Sequence, residues 1–141
     1  MTVVIDTNVV LTMFKPTHRN HVIFRAWTAG HFAWAVATDI LLEYEEVMTS
    51  LGSAAYAAQA MSTVSTIGSL RKGSLVYLSP AFFFRTISAD RDDDKFADCA
   101  IAANADFIVT SDKHFNVLIG SGYKPQPMTP EEFIARHLTA P

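Results

Sequence analysis

Acidic residues stand in this sequence where apolar runs stop. Residues 2–5, Thr-Val-Val-Ile, end on Asp6, and the run from Phe107 to Ser111 ends on Asp112. Between them, the stretch beginning at Asp90 crowds aspartates through Asp94, and Asp98 then opens a run of small apolar residues. Glu43 lies in Leu41-Leu-Glu-Tyr-Glu-Glu-Val47. A carboxylate at the start of a buried stretch costs desolvation energy unless a cation or donors meet it. Gathered at one place, Asp6, Glu43, Asp98 and Asp112 would repel one another and raise each other's pKa. Oxygen-rich clusters of this kind are what Mg²⁺ or Mn²⁺ takes, usually with few carboxylates plus waters, leaving room for a phosphate. The chemistry suggested is metal-dependent. Each position also has a plainer use: aspartate after a strand caps the next helix, a helical glutamate faces water, and residues 90–94 suit a solvated turn.

Whether these groups meet depends on the elements that carry them. The β-branched or apolar runs at residues 2–5, 32–38, 75–78 and 107–110 predict strands. Residues 123–127 suit an edge strand, where prolines are tolerated. Helix-like spacing covers residues 18–27, and Thr38 or Asp39 caps a helix through residues 40–48, with Ile40, Leu41, Tyr44, Val47 and Met48 as its apolar face. Residues 53–70 are alanine-rich and helical in pattern, although threonines and Gly68 weaken it. Residues 93–104 form a helix with acidic residues in its first turn, where the dipole favours them; on it Asp94 and Asp98 share a face. A short helix covers residues 113–118, broken by Gly120 and Gly122, and Thr129-Pro-Glu-Glu132 is a helix start. The apolar triplet at residues 82–84 stays unassigned. Strands alternating with helices predict a three-layer α/β sandwich with parallel pairing. In such sheets the working site lies beyond the carboxyl ends of the strands, so the acidic positions fall on one rim.

The totals set limits. At 141 residues the expectation is one domain over residues 1–141, with half the chain apolar and enough length for a core. No apolar stretch approaches the roughly 20 residues that cross a bilayer, and the first residues lack a signal-peptide pattern, so no membrane partner is expected. A single cysteine, Cys99, excludes an internal disulfide and a cysteine-based zinc site and suggests a reducing, cytoplasmic setting. The net charge of −3 argues against grip on nucleic acid through overall positive potential, though a bound divalent ion reverses the local sign.

Four segments, in order, carry a family likeness: Asp6-Thr-Asn8 after an apolar strand; Leu42-Glu-Tyr-x-x-Val47 on a helix; Asp90-x-Asp-Asp-x-Lys-Phe96; and Ala105-Asp-Phe-Ile-Val-Thr-Ser-Asp112. Together they resemble the PIN domain, most closely the PIN-family toxins of bacterial toxin–antitoxin pairs, from Val3 to the region of Asp112. The resemblance implies a Rossmann-like, mostly parallel sheet and a Mg²⁺- or Mn²⁺-dependent endoribonuclease, with RNA as substrate and an antitoxin as partner. It places the family's acidic residues at Asp6, Glu43 and Asp112. For the remaining one, aligning on Asp98-Cys-Ala-Ile-Ala-Ala points to Asp98, and aligning on Asp-Asp-x-Lys-Phe adds Asp93, with Asp94 the neighbour most easily mistaken for it. Asp6, Asp98 and Asp112 would hold one or two ions that activate water and offset phosphate charge. Glu43 would complete the ligands or orient the water, and Asn8 and Ser111 would support the ligands from behind. His18, His21, His31, His114 and His137 lack ligand spacing as a group and read as surface residues.

Rival α/β classes fit less well. A phosphotransfer receiver needs an aspartate after a central strand, where the third strand here ends Leu78-Ser-Pro80. A haloacid-dehalogenase-like phosphatase wants a second aspartate two residues after the first, and Asn8 stands there. The non-enzymatic alternative is a catalytically silent PIN-like domain that binds protein or RNA; retention of the acidic positions speaks against it. The exposed face of residues 54–60 and the triplet at 82–84 are candidate surfaces for an antitoxin or for a second copy in a homodimer.

Overall fold

Thr2–Ile5 forms strand β1, and its Val3, Val4 and Ile5 are wholly buried. A strand covered on both faces needs this unbroken apolar run, which is the signature of a parallel sheet. The computed structural model describes residues 1–79 and 91–139; the triplet at residues 82–84 lies outside them. Helices α1 (Thr7–Met13) and α2 (His21–Thr28) lead to β2 (Ala33–Ala37). Helices α3 (Thr38–Leu51) and α4 (Ala54–Leu70) lead to β3 (Leu75–Leu78). After α5 (Arg91–Ala102) come β4 (Phe107–Val109), a 3₁₀ turn (Lys113–Leu118), β5 (Gln126–Met128) and α6 (Pro130–Phe133), which runs into a π turn, Ile134–Leu138.

The strands form a five-stranded sheet in the order β3-β2-β1-β4-β5, with every pair parallel. The chain winds outward from β1 through β2 and β3, then returns to β1's other side with β4. The strand order therefore reverses between β1 and β4, which opens a crevice at their carboxyl ends. Register there is defined by Val4 opposite Ile108 and Ile5 opposite Val109. Proline is accommodated at Pro127 because β5 is an edge strand.

An aromatic chain ties the layers beneath that crevice. Trp27 meets Trp34 edge-on at 5.2 Å, Trp34 lies 5.8 Å from Tyr44, and Tyr44 and Phe115 each lie 6.4 Å from Phe96. Such contacts add to the burial of large apolar surface. Of the expected face of α3, Ile40, Tyr44 and Met48 are buried and Leu41 and Val47 are half-buried, while Glu45 and Glu46 are exposed. Gly68, which weakened the pattern of α4, has a packing reason. A Cβ there would lie 2.9 Å from the Leu75 side chain, so its absence lets α4 approach β3. On the segment 54–60, Ala57 and Ala60 are buried and the remaining side chains are exposed. Thr129 caps α6 through a reciprocal bond with Glu132. Among the described residues no helix is long and apolar enough to cross a membrane.

Candidate functional site

Asp6 is the residue at which β1 becomes α1. Its backbone N–H still donates to the Val109 carbonyl at 3.0 Å, while its side chain caps α1, Oδ1 accepting from the Thr7 amide at 2.8 Å. The register pairing Ile5 with Val109 carries one residue further, setting Asp6 beside Thr110. The Thr110 hydroxyl donates to Asp6 Oδ2 at 2.7 Å and accepts from the Asp112 amide at 2.9 Å. Both Asp6 oxygens are thus held, and the residue is 7% exposed. Burial pushes its carboxyl above the usual aspartate range against the pull of those donors, with repulsion from Asp112 and Glu43 adding to the rise.

Glu43 reaches the crevice from α3. It accepts from the Thr7 hydroxyl and pairs with Lys95 at 2.8 Å, both side chains being about one-fifth exposed. Tyr44, the next residue, fixes the helix in place: its buried hydroxyl donates to the Ile5 carbonyl, one residue before Asp6. Asp112 begins the 3₁₀ turn, Oδ1 accepting from the His114 amide at 2.9 Å. The same turn brings the His114 ring over the carboxylates, Nδ1 lying 3.4 Å from Asp93 Oδ2 and 3.5 Å from Asp112 Oδ1. One ligand atom each from Asp93, Asp112 and His114 lies within 4.8 Å of the others.

The candidate positions therefore divide. Asp112 and Glu43 each act on Asp6 at the β1–β4 crevice, and Asp93 joins through Asp112 and His114. Asp98, buried at 4% exposure, lines a neighbouring cleft of about 260 Å³ with Thr38, Asp39, Leu42 and Lys95. There it acts on Cys99, whose thiol is pushed up to about 12 by burial first, then by Asp39 and Asp98. Helix geometry explains the split: residues five apart are turned by about 140° around the axis and offset by about 7.5 Å. Asp94, one residue on from Asp93, is half-buried. Asn8 and Ser111 are exposed; the hydroxyls that hold the carboxylates belong to Thr7 and Thr110. Those threonines, Lys95 and His114 were not singled out as site residues from sequence. The register of β1 on β4 and the tight turn after Asp112 place them, and neither is visible in a one-dimensional pattern.

The donor set suits a hard divalent cation. It is oxygen-rich, it has one imidazole beside it, and the Asp6 carboxyl is raised by burial and, beyond that, by Asp112 and Glu43. Fold and site together define a doubly wound α/β domain with an acidic centre at its topological switch point. The chain belongs to the PIN domain family, whose model matches residues 2–114. Among solved structures, a chain in the crystal structure of VapBC2 from Rickettsia felis, bound to a DNA fragment from their promoter, has a similar fold. The TM-score is 0.57 at 15% identity, covering 92% of this chain and 98% of that one. No curated protein matches the chain.

Proposed function

We propose that this protein is a metal-dependent endoribonuclease and the toxin of a toxin–antitoxin pair. The observation that carries the reading is the convergence of Asp6, Glu43, Asp93 and Asp112 where the strand order reverses, with the Asp6 carboxyl raised by burial and by its acidic neighbours. PIN-domain membership and the fold shared with a VapBC2 chain support it. Bound Mg²⁺ or Mn²⁺ supplies water activation and compensates charge on the phosphate.

The chain's own residues then do the positioning. Asp6, Asp112 and Asp93 would hold the cation, with Asp93 in preference to Asp98 because Asp98 lines the neighbouring cleft with Asp39. Thr110 bridges the Asp112 amide and Asp6 Oδ2, so the side chain of one ligand is tied to the backbone of the next. Glu43, steadied by Thr7 and Lys95, orients water at the edge of the site. The Lys95 ammonium limits the negative charge that an incoming phosphodiester meets.

The test is cleavage of single-stranded RNA with Mg²⁺ or Mn²⁺, with the same strand as DNA for comparison. Chelator should abolish cleavage. Asp6→Asn should reduce it by at least about 10²-fold, the upper end of what residues merely supporting a ligand contribute. Cutting by Asp6→Asn at the wild-type rate would overturn the assignment; absence of cleavage by wild type with either ion would favour the silent binding module. An antitoxin partner predicts that the product of an adjacent reading frame binds the chain and suppresses cleavage.

A further inference from the structure

We propose that His114 is itself a metal ligand, through Nδ1, and that it biases the site toward Mn²⁺ over Mg²⁺. The inference rests on the metal-dependent reading above and adds to it a ligand of a different element and a choice of ion.

The geometry carries it in two ways. Nδ1 lies 3.4 Å from Asp93 Oδ2 and 3.5 Å from Asp112 Oδ1, nearly equidistant from two carboxylates on different elements. Charge-assisted hydrogen bonds close to about 2.7–2.9 Å, so the ring is not drawn fully onto either partner. The spacing is instead near that of ligands sharing an ion. At the roughly 2.1 Å metal–ligand distance of a small octahedral cation, adjacent ligands lie about 3 Å apart and opposite ones about 4.2 Å apart. The atoms of Asp93, Asp112 and His114 all fall within 4.8 Å of one another, so small side-chain rotations would seat them on one face of a single ion.

The backbone holds this arrangement. The His114 amide donates to Asp112 Oδ1, which begins the 3₁₀ turn, and the next residue, Phe115, is buried against Phe96 of α5. The turn that presents the ring is therefore packed on the helix that carries Asp93. At 47% side-chain exposure, the imidazole gives up little hydration by turning inward.

The donor atom then decides between ions. Mg²⁺ prefers oxygen and near-ideal octahedral geometry, and loses little when a nitrogen ligand is replaced by water. Mn²⁺ stands lowest in the first-row order and, like Mg²⁺, suits carboxylate and water, but as a transition-metal ion it takes an imidazole nitrogen more readily than Mg²⁺ does. One imidazole beside carboxylates should thus separate Mn²⁺ from Mg²⁺ where an all-oxygen site would not.

The experiment measures binding rather than turnover. Mn²⁺ and Mg²⁺ are titrated calorimetrically into the full chain, into His114→Ala and into His114→Asp, at one pH of about 8, above the ordinary imidazole range. Thermal unfolding in chelator checks that each variant is folded. Wild type should bind Mn²⁺ at least about tenfold more tightly than Mg²⁺. His114→Ala should lose at least about 10-fold toward Mn²⁺, no less than the loss of a residue that only supports a ligand costs, and less than about threefold toward Mg²⁺. His114→Asp should narrow the preference by restoring an oxygen donor. Pulsed electron paramagnetic resonance of the Mn²⁺ complex should show coupling to a directly bound nitrogen in wild type and in neither variant. Unchanged Mn²⁺ affinity in His114→Ala, or no nitrogen coupling in wild type, overturns the role of His114 while leaving a carboxylate metal site standing. Failure of wild type to bind either ion overturns the metal-dependent reading and this inference together.

Discussion

At the scale of single residues, Asp6 keeps a buried carboxyl at a cost to the fold. Burial first, and then the neighbouring Asp112 and Glu43, hold its carboxyl above the usual range, so its surroundings disfavour the charged form. Asparagine keeps the shape and is as good a helix cap. Its oxygen can accept from the Thr7 amide, and its NH₂ can donate to the Thr110 hydroxyl. Asp6→Asn should therefore melt a few degrees above wild type at neutral pH in chelator, while losing activity; a lower melting temperature would mean that the hydrogen bonds outweigh the buried charge. Asp6 and Asp112 could be picked from sequence because each ends an apolar strand. Glu43 could be named but not oriented, since its bond from Thr7 and its ion pair with Lys95 depend on how α3 meets α1 and α5. His114 was read as a surface residue, and by exposure its side chain is one. Its proximity to Asp93 of α5, rather than its burial, brings it to the carboxylates.

At the scale of elements, the helices and strands were legible wherever apolar periodicity was strong, and their boundaries moved where local hydrogen bonding intervened. The helix expected from residue 18 starts at His21, because Lys15 to Asn20 spend their backbone groups on turns such as His18 N–H to the Lys15 carbonyl. The edge strand expected over 123–127 shortens to Gln126–Met128, with the Gln126 side chain donating to the Tyr123 and Leu118 carbonyls. At the other end of the sheet from the crevice, Asp106 clamps β1 to β4. Its Oδ2 accepts from the Thr2 amide at 2.8 Å, its own amide donates to the Thr2 carbonyl at 2.8 Å, and Lys124 pairs with Oδ1 at 3.2 Å. The Thr2 amide first, and Lys124 second, hold this carboxyl below its usual range. The folded state then binds fewer protons than the unfolded chain between the lowered value and the ordinary one near about 3.9. The stability involved is fully present above the ordinary value and is lost as pH falls through the folded one. Asp106→Asn should cost about 1 kcal/mol above about pH 5, after discounting for solvent screening, and the gap should close below about pH 4. A series of urea midpoints across that range checks it, and a gap unchanged by acid would show that packing, not charge, is what asparagine disturbs.

At the scale of the whole molecule, the acidic rim joins parts of the chain that are remote in sequence: the end of β1, the middle of α3, the start of α5 and the turn after β4. A cation held by Asp6, Asp93 and Asp112 would tie together the end of β1, the start of α5 and the turn after β4, so opening any of these three would release the ion. Binding to the folded state alone stabilises by about 2.7 kcal/mol when the free ion stands at 100 times its dissociation constant. For a chain of this size that is a rise of roughly ten degrees in melting temperature. Mn²⁺ should therefore raise the melting temperature of the wild-type chain strongly and reversibly by chelator, and that of Asp112→Asn by much less at the same concentration. Asp98→Asn is the informative comparison, because Asp98 lines the neighbouring cleft with Asp39. It should retain the metal-induced shift of wild type even if its melting temperature in chelator differs. Loss of the shift in Asp98→Asn, with the shift kept in a folded Asp93→Asn, would return Asp98 to the metal site and remove Asp93 from it.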